Sequence, residues 1–174
     1  MSGMASLRTA TVLVLTVALL TIPVRLHAEK THVQHAALPS AAAWRADMLR
    51  QVNRVRARHG VGALRIDDRL NRAAQSHSDD MARRDFFDHR SPEGARMTER
   101  ADQTGYHWRR LIENIAGGYP NIAATIQGWM ESPDHRAGLL DDRVRDAGFG
   151  YVYLSRDSGR VRKRHYWTLL IGRE

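Results

Sequence analysis

The sequence predicts an α+β fold in which a small central sheet is covered by helices. Apolar residues recur at three- and four-residue steps through residues 40–82, which is the helical period. Two tracts rich in aromatic and branched residues, 148–154 and 165–171, follow near the end, with the turn signal Asp157-Ser158-Gly159 between them. A third short apolar tract spans residues 111–116. Helices first and a hairpin last, with one more strand between them, favour a small sheet covered by helices over an alternating parallel fold.

The first 28 residues are predicted to be a secretory signal peptide. Arg8 precedes an apolar run at residues 10–24, and no acidic residue occurs before Glu29. The run is shorter than the ~20 residues of a membrane-spanning helix, so we expect cleavage after Ala28 and no transmembrane segment afterwards. A buried core helix is the alternative interpretation of this run. Residues 29–39 are then predicted to be a linker, and residues 40–174 one domain.

Capping residues and breakers locate the first two helices. Ser40 can cap a helix that reaches His59, before Gly60 ends it. Asp67 or Asp68 can cap a second helix, which carries His77 on its apolar face. A lone histidine on such a face is usually a hydrogen-bonded core residue, so we expect His77 in the core.

The remaining elements are shorter. Residues 88–94 contain proline and glycine and are predicted to be a loop, followed by a short helix over residues 97–104 that Gly105 ends. The tract 111–116 suits a buried strand end. Asn121 can cap a further helix, which Ser132-Pro133 terminates.

Composition narrows the classes of function. The formal net charge is +8, but the basic residues are interspersed with acidic ones along most of the chain, which is typical of a solvated surface. The basic segment 156–164 adjoins a turn signal and lacks interleaved aromatics, so we expect no specific nucleic-acid site. The chain has no cysteine, so the hydrophobic core alone must support the fold. We expect a monomer.

Three polar residues occur where their chemistry is unusual. His89 and His135 are predicted in proline-containing loops, and Glu113 lies inside an otherwise apolar tract, where a carboxylate is costly unless it is paired or coordinated. Two neutral imidazoles and a carboxylate form the ligand set of open catalytic zinc sites. The same groups without metal would form a hydrogen-bonded acid/base cluster. The residues alone leave both interpretations open.

Several short blocks in a fixed order resemble the CAP superfamily, the group of cysteine-rich secretory, antigen 5 and pathogenesis-related 1 proteins, also called the SCP domain, in its bacterial exported form. The blocks cover about residues 48–172: Asn53-x-x-Arg56, Leu70-x-x-Ala73-Ala74, Asp80-Met81-Ala82, Phe86-Phe87-Asp88-His89, Ser91-Pro92, Gly105-Tyr106, Glu113-Asn114-Ile115-Ala116, Trp129-Met130-x-Ser132-Pro133-x-His135-Arg136, Gly148-x-Gly150 and Tyr166-Trp167.

The resemblance implies an α-β-α sandwich with a central cleft whose floor carries two histidines and two acidic residues. His89, Glu113 and His135 match three of these four. Many eukaryotic members have a glutamate where Ser132 stands, and Glu131 comes one residue earlier. One residue is a ~100° rotation on a helix, so Glu131 is a cleft candidate that we expect to be turned towards solvent instead.

The leading functional hypothesis is a secreted or envelope-associated binding module. Its cleft would take a divalent metal, zinc foremost, on His89, His135 and Glu113, or a small molecule, lipid or envelope component. One alternative is a metal-dependent hydrolase acting in the envelope or outside the cell, and another is a structural cell-surface adhesion domain. A fold alone does not choose among them.

Overall fold

The computed structural model describes residues 40–174, so the predicted signal peptide and linker lie outside the described residues. The described part contains five helices and four strands. In chain order they are α1 (Ala41–Arg58), β1 (Arg65–Ile66), α2 (Asp68–Arg84), α3 (Met97–Gln103), β2 (Arg110–Gly117), α4 (Ile122–Glu131), α5 (Pro133–Leu139), β3 (Asp146–Tyr153) and β4 (His165–Arg173). The predicted α+β class is confirmed.

The helices begin where the capping residues predict. The side chain of Ser40 accepts a hydrogen bond from the Ala43 amide at 3.2 Å and opens α1. Asp67 accepts from the first amides of α2, and the side chain of Asn121 accepts from the Ala124 amide at the start of α4. Each cap satisfies an amide that has no partner within its helix.

The four strands form one mixed sheet in the order β1-β3-β4-β2. β1 pairs with β3 in parallel, whereas β3 with β4 and β2 with β4 are antiparallel. The predicted hairpin is therefore formed by β3 and β4, the two central strands. β2 lies at one edge, and its outer side has no paired strand among residues 40–174.

Helices cover both faces of the sheet. Leu170 of β4 packs in a buried cluster with residues of α2 and α3, whereas its neighbour Leu169 packs in a second cluster with residues of α1, α4 and α5. Successive side chains of a strand point to opposite faces, so the two clusters form the two layers of core on either side of the sheet. This arrangement is an α-β-α sandwich.

Glycines of β3 allow α2 to lie directly on the sheet. A Cβ atom on Gly148 would approach the backbone carbonyl carbon of Leu70 to 2.1 Å, and one on Gly150 would approach the Ala74 oxygen to 2.2 Å. No side chain fits at these distances. The two glycines therefore determine the spacing between the helix and the strand.

Two elements escape the sequence patterns. β1 has only two residues, too few for any periodicity. His135, predicted in a loop, lies instead in the short helix α5, because Pro133 occupies the first turn of that helix. Proline suits this position since the missing amide hydrogen is not needed there and its fixed φ is already helical.

Among residues 40–174, no helix combines the length and apolarity that crossing a bilayer requires.

Candidate functional site

The centre of the candidate site is the buried carboxylate of Glu113 on β2. Its side chain is 2% exposed and lies on the sheet face that α2 and α3 cover. Its neighbours on the strand, Ile112 and Asn114, lie on the opposite face, beside Gly138 of α5. A carboxylate this buried requires partners for its charge.

Three side chains supply those partners. The Nδ1 of His89 lies 2.9 Å from Oε1 of Glu113, and Nη2 of Arg100 donates to Oε2 at 2.6 Å. The Nε2 of His77, on α2, lies 3.9 Å from Oε1 of Glu113. Both carboxylate oxygens are therefore engaged by groups that carry or can carry a positive charge.

The loop that carries His89 is fastened on two sides. Arg100 of α3 also donates to the His89 carbonyl at 3.2 Å, and its Nη1 donates to the Ala95 carbonyl at 3.2 Å. His77 bonds the Asp88 carbonyl through Nε2 at 3.0 Å. Arg100 and His77 thus hold the His89 loop against Glu113.

The same contacts set the charges of the cluster. Burial raises the pKa of Glu113, but the hydrogen bond from His89 and the charge of Arg100 outweigh it, so that the pKa is lowered and the group is ionised. The hydrogen bond to Glu113 raises the pKa of His89, whereas burial lowers the pKa of His77. His77 is therefore neutral at physiological pH, and His89 holds its proton to a higher pH than a free histidine does.

The hydrogen-bond pattern assigns the ring nitrogens. A carbonyl can only accept, so Nε2 of His77 carries the hydrogen, and its buried Nδ1 has no partner among residues 40–174. His89 directs Nδ1–H at Glu113, which leaves Nε2 for a ligand. The His89 side chain is 52% exposed, whereas those of its partners Glu113 and Arg100 are buried. The cluster therefore presents a single imidazole to the outside.

His89 and Glu113 line a cavity of about 410 Å³. Arg90 and Arg96 line it as well, and both are exposed. The other lining residues are Met97, Leu111 and Ile112. The charge of Glu113 is matched by Arg100, so the two exposed arginines give the cavity a positive balance.

His135 of α5 lines a second cavity, of about 260 Å³, beside the later part of β2. Phe87, Gly117 and Ser132 also line this cavity. Its backbone carbonyl accepts from Nδ2 of Asn114 at 2.9 Å. Burial lowers the pKa of His135, and the charge of His89 lowers it further. The charge of His89 therefore affects the pKa of His135. Of these two imidazoles, His89 is the one that bonds Glu113.

Glu131 is exposed at the end of α4, where its Oε1 accepts from Nε2 of Gln127 at 2.8 Å. It lines neither cavity. The rotation that separates it from the position of Ser132 turns it to solvent, and the structure does not bring it to Glu113.

A metal centre on His89, His135 and Glu113 does not fit the side chains as they stand. Within residues 40–174, no group of three or more histidine, cysteine, aspartate or glutamate side chains could hold one ion. Both oxygens of Glu113 are already engaged by other side chains, which leaves Nε2 of His89 as the open donor of the cluster. A divalent ion stays a prediction that requires these groups to rearrange.

Sequence reasoning missed two members of the cluster. His77 was expected in the core, where it lies, but its position 3.9 Å from Glu113 depends on the fold. Arg100 is 8% exposed and follows Met97 by three residues on the inner face of α3. An arginine on an apolar helix face is the signal that could have identified a buried carboxylate partner.

Known proteins share both the sequence pattern and the fold of this chain. The family model described as "CAP: Cysteine-rich secretory protein family" matches residues 49–171. The Bacillus subtilis protein YkwD is 31% identical over 141 residues, which are 81% of this chain and 51% of that protein. The chain thus spans about half the length of this relative.

Solved structures agree with the fold. An extracellular protein containing an SCP domain from Bacillus anthracis superposes with a TM-score of 0.64 at 27% identity, over 74% of this chain and 40% of that one. An outer surface protein from Borrelia burgdorferi has a TM-score of 0.66 at 16% identity, over 75% of this chain and 92% of that one. The second likeness concerns the fold alone.

Proposed function

The chain belongs to the CAP family of cysteine-rich secretory proteins, and from this premise we propose that it is an exported binding module whose ligand is held in the cavity above Glu113 by His89. Export is supported by the N-terminal sequence and by the likeness to an extracellular bacterial protein. The envelope or the extracellular medium is then the place of binding.

One observation carries the proposal. A fully buried carboxylate orients an exposed imidazole, with the Glu113 side chain 2% and the His89 side chain 52% exposed. Burying an ion pair contributes little net stability, since desolvation offsets most of the attraction. A cluster that fixes one imidazole at a cavity is better explained by use of its free nitrogen, which is how a rigid scaffold presents a functional group.

The chemistry of that nitrogen favours a ligand with a hydrogen-bond acceptor or an anionic group. Protonated His89 donates from Nε2, and Arg90 and Arg96 add positive charge around the cavity. Neutral His89 would instead offer a lone pair to a metal ion. These two kinds of occupant respond to pH in opposite directions, which makes them separable.

The test is a titration of the protein with succinate and, separately, with zinc, followed by calorimetry and by the imidazole NMR signals. An anion on His89 binds more weakly as the pH rises through the pKa of His89. Zinc binds more weakly as the pH falls through the raised pKa of His89, because protons compete for the imidazole.

His89→Ala should abolish succinate binding and weaken zinc binding at least ~10-fold. His107→Ala is the matched control, since His107 is exposed and lines neither cavity. If neither probe shifts the His89 signals in any part of the pH range, the proposal is wrong.

A further inference from the structure

We propose that the free outer edge of β2 binds an extended acidic peptide as an added strand. This inference rests on the proposed function, because it uses the same cavity, and it names the class of ligand. The peptide would pair its backbone with Leu111 and Glu113 beneath His89.

The register of β2 shows which backbone groups point outwards. The Gly118 amide donates to the His165 carbonyl at 3.0 Å, so the alternate residues Ala116, Asn114 and Ile112 also direct their amides and carbonyls at β4. The backbone amides and carbonyls of the intervening residues point away from the sheet; these residues are Leu111, Glu113, Ile115 and Gly117. An independent contact agrees, since Nε1 of Trp129 donates to the outward Ile115 carbonyl at 3.1 Å.

The outward groups of Leu111 and Glu113 are unpaired. No backbone or side-chain hydrogen bond reaches their amides or carbonyls from within residues 40–174. Glu113 as a whole residue is 9% exposed although its side chain is 2% exposed, so its remaining exposure lies on the backbone. Proteins usually cover or interrupt such an edge. Within the part of the chain that the structure describes, Trp129 closes this edge at Ile115, and no hydrogen bond closes it at Leu111 or Glu113.

The cavity beside this edge supplies room and charge. The cavity of about 410 Å³ is lined by Leu111 and Glu113 themselves. Met97 and Leu111 offer apolar contact for side chains of the ligand, while Arg90 and Arg96 favour a carboxylate. The charge balance therefore selects an acidic peptide over a basic one.

The pattern of free groups distinguishes a peptide from other occupants. Along the edge, amide donors alternate with carbonyl acceptors, and a peptide backbone supplies the complementary alternation at ~3.4 Å per residue. A fatty chain would leave these groups without partners, at a cost of ~1 to 3 kcal/mol for each group that it buries. An isolated phosphate can accept from the amides but leaves the carbonyls unmatched.

The first experiment uses nitrogen-15-labelled protein and a library of blocked pentapeptides with a fixed central glutamate and random flanking positions. At millimolar total peptide, the amides of Leu111 and Glu113 should shift and gain protection from hydrogen exchange. The amides of Ile112 and Asn114 already bond β4 and should gain none. A library with central lysine should produce at least ~5-fold smaller shifts at equal concentration.

The second experiment tests the backbone pairing. In the tightest peptide recovered, methylation of single amide nitrogens should abolish binding at alternate positions and spare the others, because only alternate amides of an added strand face β2. Arg90→Glu should weaken this peptide at least ~5-fold. Arg54→Glu is the matched control and should bind like the unaltered protein, since Arg54 is an exposed arginine of α1 that does not line this cavity.

The outcomes separate this inference from the proposed function. If succinate or zinc binds through His89 but no library shifts the Leu111 and Glu113 amides, the added strand is refuted and the proposed function stands. If the peptide binds with the alternating methylation pattern but His89→Ala has no effect, the added strand stands and the role of His89 is refuted. A methylation pattern without alternation overturns the added strand.

Discussion

Removing Arg100 should expose how the fold tolerates a buried carboxylate. The Arg100→Met variant keeps the apolar length of the side chain but leaves Glu113, whose side chain is 2% exposed, without its bond of 2.6 Å. Leaving one partner of a buried ion pair uncompensated costs ~3 to 5 kcal/mol. His89 still donates to the other oxygen of Glu113, so we expect a loss of ~3 kcal/mol, the lower end of this range, in the free energy of unfolding near neutral pH.

The loss should depend on pH. The lowered pKa of Glu113 means that its contribution to stability is present above the unfolded pKa of ~4.3 and is lost as the pH falls through the folded value. Without Arg100 the pKa of Glu113 rises, so protonation relieves the buried charge. The difference between Arg100→Met and the unaltered protein should therefore shrink between about pH 7 and pH 4.5.

Urea melts at several pH values measure both effects. Arg50→Met is the matched control, because Arg50 pairs with Asp47 on the surface, with side chains 65% and 39% exposed, and should change stability by less than ~0.5 kcal/mol. Adding Glu113→Gln to Arg100→Met should recover most of the loss, because the uncompensated charge is then absent. A loss below ~1 kcal/mol, or one that Glu113→Gln does not relieve, would contradict the role given to Arg100.

Three further predictions concern protonation, packing and processing. In an NMR titration, His89 should titrate above ~6.5 and His135 below it, as their raised and lowered pKa values require; the reverse order would show that His89 does not bond Glu113. In thermal melts, Gly150→Ala should cost ~3 kcal/mol or more, because its Cβ would overlap the Ala74 carbonyl, whereas a Cβ on Gly62 meets nothing within 4 Å and Gly62→Ala should cost much less. Mass spectrometry of the exported protein should find Glu29 at its N-terminus, and an intact segment 1–28 would refute the predicted cleavage.

Much of the fold could be predicted because its signals are local. The caps at Ser40, Asp67 and Asn121 act within three residues of their own positions, and the turn at Asp157-Ser158-Gly159 joins strands that follow one another in the chain. The elements β1 and α5 were missed because their stability comes from packing and not from periodicity. The parallel pairing of β1 with β3 joins residues 81 positions apart in the chain, such as Arg65 and Asp146, so no local pattern marks it.

By itself, the sequence predicted the α+β class and the unusual polar residues, because periodicity, breakers and a carboxylate in an apolar tract are visible in the order of residues. The family followed from the resemblance of its ordered motif blocks to the CAP superfamily. The tertiary structure decided which of these residues meet. It joined His89 and Arg100 to Glu113, left Glu131 in solvent, placed His135 in a neighbouring cavity and put β2 at the edge of the sheet. Side-chain partners and strand order depend on how separate elements pack, and hydrogen bonds act only over ~3 Å, so a site of this kind exists only after the elements have come together.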